Sequence, residues 1–99
     1  MLHIVNKSPY ERPALDACLR YVQPGSAVLL IEDAVCAATS GSEWSGRMRE
    51  ASPAVRFFAL TPDLEARGLR ERLVEGIEAV DYSGFVDLVA SQGAVQSWL

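Results

Sequence analysis

The run Ala27-Val28-Leu29-Leu30-Ile31 constrains this chain more than any other stretch. It is five apolar residues long, with Pro24-Gly25 before it and Glu32-Asp33 after it. A strand with one wet face alternates apolar and polar residues. An unbroken apolar run of this length suits a parallel strand covered on both faces. Val55-Arg56-Phe57-Phe58-Ala59-Leu60 reads as a second such strand, and Leu2 to Val5 and Ile77 to Val80 as two shorter ones.

Helical patterns separate these runs. Ser8 with Glu11 has capping-box spacing, but Pro13 would break a helix started there, so residues 8–12 are expected as a tight turn. A helix should follow from Pro13 to Val22, with Leu15, Cys18, Leu19 and Val22 on one face. Asp16 and Arg20 lie off that face, four residues apart, and can pair. Ala34 to Thr39 should be helical, preceded by acidic residues that suit a helix start. Ser40-Gly41-Ser42 opens a polar stretch, and a short helix runs through Trp44 to Ala51. Thr61 is the expected cap of a helix from Pro62 to Arg67, which Gly68 closes; a further turn spans Leu69 to Leu73. Ser83 is the expected cap of a last helix carrying Phe85, Val86, Leu88 and Val89, and Gly93 ends it. The tail from Ala94 closes on Trp98-Leu99, an apolar pair that needs a surface to pack on.

Strands alternating with helices imply right-handed crossovers. The expected fold is a small α/β three-layer sandwich, with a mostly parallel sheet of four or five strands and helices on both faces. Ninety-nine residues suffice for one domain, 1–99, with a modest core and little room for a deep active site. Functional groups in such sheets gather at the strand carboxyl ends. Here those ends are Asn6-Lys7-Ser8, Glu32-Asp33, Thr61 to Asp63 and Asp81 to Ser83.

Composition narrows the function classes. The net charge is −4, and the nine basic residues are scattered; only Arg67, Arg70 and Arg72 cluster, diluted by Glu65, Glu71 and Glu75. A nucleic-acid binder would show a basic stripe, so direct contact with RNA or DNA is not expected. No apolar run approaches the ~20 residues of a membrane helix, and Met1 to Val5 is too short for a signal-peptide core. Two cysteines without paired spacing make no disulfide framework, and one histidine without C-x-x-C makes no metal signature. The expected compartment is the cytoplasm, with no cofactor and no metal.

Each candidate for chemistry has a plain packing alternative. Cys18 could carry sulfur if its thiolate were accessible, yet it lies on the apolar helix face, where free cysteine usually packs. Cys36 falls in the first turns of a helix, whose dipole lowers a thiol pKa, but Glu32 and Asp33 oppose that, and Val35-Cys36-Ala37-Ala38 also reads as packing. His3 could act as a base, but a lone histidine within a strand is more often a hydrogen-bonded structural group. Glu32 and Asp33 lack a third metal ligand nearby and are better read as capping groups. Ser8 and Ser83 sit in no G-x-S-x-G elbow and are also read as caps, and no phosphate-binding glycine motif is present.

Taken together, four segments resemble the DsrH/TusB family. They are Met1-Leu2-His3-Ile4-Val5-Asn6-Lys7-Ser8-Pro9, Leu29-Leu30-Ile31-Glu32-Asp33-Ala34-Val35, Pro62-Asp63-Leu64-Glu65-Ala66-Arg67-Gly68-Leu69 and Val80-Asp81-Tyr82-Ser83-Gly84-Phe85-Val86-Asp87-Leu88, and the closing Gln96-Ser97-Trp98-Leu99 agrees. The resemblance implies a DsrE/F/H-like fold and the small subunit of a heterohexamer holding two copies each of three related chains. Its partners would be DsrE/TusD-like and DsrF/TusC-like subunits. Through the complex, persulfide sulfur would pass from a TusA-like donor to a DsrC/TusE-like acceptor. DsrEFH-type assemblies serve sulfur oxidation; TusBCD-type assemblies serve 2-thiolation of the tRNA wobble uridine. The principal acceptor cysteine would lie on the DsrE/TusD-like chain. Cys18 matches the first-helix cysteine of the DsrH branch, which favours that branch and implies an auxiliary persulfide carrier. Nothing in the resemblance gives Cys36 a role. Two other readings remain open: a stand-alone thiol enzyme using Cys18 or Cys36, and a homo-oligomeric module binding a small anion at the strand carboxyl ends.

Overall fold

A computed structural model describes residues 1–99. The apolar runs become strands β1 (Leu2–Val5), β2 (Ala27–Leu30), β3 (Arg56–Leu60) and β4 (Ile77–Val80). The helices are α1 (Ala14–Tyr21), α2 (Glu43–Ala51), α3 (Thr61–Ala66) and α4 (Tyr82–Gln92). Residues 8–12 form a turn, in which the Glu11 and Arg12 amides donate to the Ser8 carbonyl.

The tail is itself an element, β5 (Val95–Trp98). The sheet runs β4-β3-β2-β1-β5, and every pairing is parallel. Alternate side chains of the central strands feed opposite faces. Val5, Val28, Leu30, Phe57 and Ala59 join the larger core, which α1, α2 and α3 cover with Leu15, Cys18, Met48 and Leu64. Leu2, Ala27, Leu29 and Phe58 form a smaller core on the other face, where Leu88 of α4 packs with Phe85 at its margin. One helix therefore covers one side and three cover the other. β5 escaped sequence reading because Val95, Gln96 and Ser97 are exposed, so no alternation marks the strand.

Three local expectations change. The segment after β2 is a 3₁₀ helix, Glu32–Ala38, not an α-helix, and it opens with Glu32 at φ 50°, a left-handed conformation. Thr61 is not a cap, because the helix already begins there and Leu60 precedes it without a side-chain bond. Ser83 is not a cap either: Asp81 takes that place, its carboxylate accepting from the Gly84 amide at 2.8 Å. Aspartate is as good a cap as serine, and here it meets the free amide first. Ser42, unassigned by sequence, caps α2 by accepting from the Trp44 amide at 3.1 Å.

Candidate functional site

The strand carboxyl ends bring three sequence segments together. The turn after β1 presents Ser8, whose Oγ accepts from the Tyr10 amide at 3.2 Å. The 3₁₀ helix after β2 presents Cys36, half-buried, with its Sγ 3.6 Å from Ser8 Oγ. Ser8 thus shapes its turn and also faces the thiol. Two residues earlier in the chain than Ser8, Asn6 Oδ1 is buried without a partner.

Charged groups at the same edge hold the loops instead of waiting for a ligand. Asp63 Oδ2 accepts from the Glu32 amide at 2.7 Å, which secures the left-handed Glu32 backbone to the start of α3. Arg67 donates to Asp33 Oδ1 at 2.8 and 3.1 Å and to the Asp63 carbonyl at 3.1 Å. Glu32 and Asp33 are therefore loop anchors, the first through its amide and the second through its carboxylate. No three His, Cys, Asp or Glu side chains stand close enough to hold a metal ion. The Asp63–Glu32 and Arg67–Asp33 contacts join residues more than thirty positions apart, and no local spacing signals them.

The structure sets Cys18 apart from this edge. It is fully buried in the larger core, and burial pushes its thiol up to about 12. At neutral pH it is a protonated, apolar packing group in this conformation. Both cysteines are free thiols. His3 is also buried, at the opposite end of the sheet from Cys36. Its Nδ1 accepts from Trp98 Nε1 at 3.0 Å. An indole nitrogen only donates, so Nδ1 is unprotonated and the proton resides on Nε2. Burial, with the nearby N-terminal charge, holds the imidazole pKa below its ordinary value. His3 is thus the structural group that sequence favoured, bonded to a strand that sequence did not find.

The comparisons with known proteins agree with this architecture. The family described as "DsrH like protein" matches residues 7–95. The chain belongs to the DsrH family. Protein TusB of Pectobacterium parmentieri is 37% identical over 98 residues, spanning 99% of this chain and 100% of the relative. Protein TusB of Escherichia coli O81 is 35% identical over the same spans. Among solved structures, the ychN protein of E. coli superposes with TM-score 0.82 at 19% identity, covering 98% of this chain and 97% of its own. Protein MTH1491 of Methanobacterium thermoautotrophicum, titled as of unknown function, gives TM-score 0.72 at 24% identity, covering 97% and 95%. These structural likenesses carry the α/β fold alone.

Proposed function

We propose that this chain is the small subunit of a DsrEFH/TusBCD-type sulfur relay, a heterohexamer in the cytoplasm with DsrE/TusD-like and DsrF/TusC-like partners. Persulfide sulfur passes through the complex from a TusA-like donor to a DsrC/TusE-like acceptor. The observation that carries this reading is end-to-end identity of 35–37% to proteins named TusB, together with the DsrH family match. The relatives' name favours delivery to the tRNA wobble uridine. The first-helix Cys18 speaks for the sulfur-oxidation branch.

The geometry argues against Cys18 as the nucleophile of a self-sufficient thiol enzyme. Cys18 offers no thiolate while α1 is packed, because the core raises its pKa to about 12. Cys18 acts as an auxiliary carrier only in a state where α1 has lifted, and the family resemblance implies that the principal acceptor lies on a DsrE/TusD-like partner. The exposed Tyr82, Val86 and Val89 on α4 form an apolar surface of the kind that permanent interfaces cover.

Deleting the chain from its host and measuring both 2-thiouridine in tRNA and conversion of stored sulfur to sulfate tests the reading. Loss of one product is expected and identifies the branch. Undiminished levels of both overturn it. Alkylation of the native chain tests the thiol assignment: Cys36 should be modified well before Cys18, and equal rates would contradict a packed Cys18.

A further inference from the structure

We infer that β5 and the C-terminal turn of α1 form a groove that takes an extended, uncharged segment of another protein as a sixth strand, with one large apolar side chain seated in the cleft. This inference is independent of the sulfur reading, because it rests on the hydrogen-bonding edge and shape of one side of the molecule.

The first observation is the edge. β5 pairs on one side only, with β1. The Leu2 amide donates to the Ala94 carbonyl at 2.8 Å, which fixes which groups of β5 face β1. Main-chain groups alternate along a parallel strand, so the amides and carbonyls of Val95 and Ser97 face outward. Within the chain, only the Gln96 side chain meets this row, its amide donating to the Ser97 carbonyl at 3.2 Å. An incoming strand would displace that flexible cover. Edge strands are commonly blocked by charge, proline or a bulge. Val95, Gln96, Ser97 and Trp98 supply neither charge nor proline, whereas the opposite edge, β4, carries Glu78.

The second observation is the cleft beside that edge. α1 packs on β1 and touches β5, and beside them lies a cavity of about 660 Å³ lined by His3, Tyr21, Gln23, Ser26, Gln96 and Trp98. That volume lies within the range of about 300–1,000 Å³ typical of ligand pockets. Register puts Gln96 and Trp98 on the same face as His3 and Val5. Side chains of a strand added to β5 at those levels would project over this face and into the cleft. Main-chain pairing supplies the affinity in such augmentation, and the pocket for alternate side chains supplies the specificity.

The cleft's chemistry selects the seated group. Tyr21 and Trp98 are in contact, with ring centroids 5.9 Å apart, and present an aromatic wall. His3 is neutral, and its Nε2–H makes no bond within the chain. No carboxylate, lysine or arginine lines the cleft; the one charge is the amino terminus of Met1, which donates to Gln92 Oε1 at 3.1 Å. A large aromatic side chain suits these walls.

The test titrates the full-length chain with blocked heptapeptides of sequence Thr-Val-Thr-Xaa-Thr-Val-Thr, where Xaa is Phe or Ala, and follows backbone amides by NMR. Slowed exchange at Val95 and Ser97 is expected, with the Phe peptide binding about tenfold tighter than the Ala peptide, the margin one well-seated aromatic ring supplies. Ser97→Pro removes one outward amide without touching the β1 pairing and should abolish binding, while Ser97→Thr retains it. N-methylating alternate peptide residues gives the same loss with the protein unaltered, so the test survives a misfolded proline variant. Equal affinity for the two peptides, no protection at Val95 and Ser97, or shifts centred on Tyr82 and Val86 would overturn the inference. So would concentration-dependent protection of those amides without peptide, which identifies the occupant as a second copy of this chain.

Discussion

Cys18 shows how a reactive residue type becomes a packing residue. Its neighbours at helical spacing, Leu15, Leu19 and Val22, announce an apolar face, and the structure buries it completely there. Cys18→Ser should cost about 1–3 kcal/mol in urea unfolding, because it adds a hydroxyl to a core built for a thiol. Cys18→Ala should cost less, and the reverse order would contradict the packing. His3 makes a second prediction. Its folded pKa lies below the ordinary 6.5, so the unfolded chain binds the proton more readily. Stability is therefore complete above about pH 6.5 and declines as pH falls below it. Protonation also sets two donors against each other, Nδ1–H and Trp98 Nε1–H. His3→Gln keeps an acceptor for Trp98 without a titrating ring, so the fall in urea midpoint between pH 7.5 and 5.5 should shrink. An unchanged fall would contradict a buried neutral His3. Sequence could suggest that His3 is hydrogen-bonded, but its partner lies 95 residues away and only the sheet brings them together.

At the scale of elements, the apolar runs were the legible part. β2 and β3 feed both cores, and such strands leave a strong local trace. Caps and edges left weaker ones. Asp81 and Ser83 are both good capping residues two positions apart, and sequence spacing alone chose the wrong one. Asp81→Ala should cost about 1 kcal/mol of stability, whereas Ser83→Ala should fall within about 0.5 kcal/mol of the unaltered chain. Thermal or urea denaturation of the two variants decides between them, and a larger loss at Ser83 would overturn the observed cap. β5 was illegible because an exposed edge strand has no hydrophobic period to read. The link between Arg47 and Asp16 at 2.6 Å joins α2 to α1 and holds the Asp16 carboxyl below the usual carboxylate range, a tie that sequence, seeing only the Asp16–Arg20 spacing, could not find.

At the scale of the whole molecule, the two sides of the sheet are unequal. Three helices and the 3₁₀ segment close the larger core, while α4 alone covers the smaller one and leaves Tyr82, Val86 and Val89 in solvent. The sandwich and its parallel sheet were readable from the order of strands and helices. The inequality was not, because it depends on which face each crossover takes. A chain with one closed and one open side is suited to serve as a component, which agrees with membership of the DsrH family and with end-to-end similarity to TusB proteins. The most direct measurement of that account is the native mass of the complex after co-expression with DsrE/TusD-like and DsrF/TusC-like chains. The account predicts a species with two copies of each of the three subunits. A stable monomer of this chain that leaves both partners unbound would contradict it.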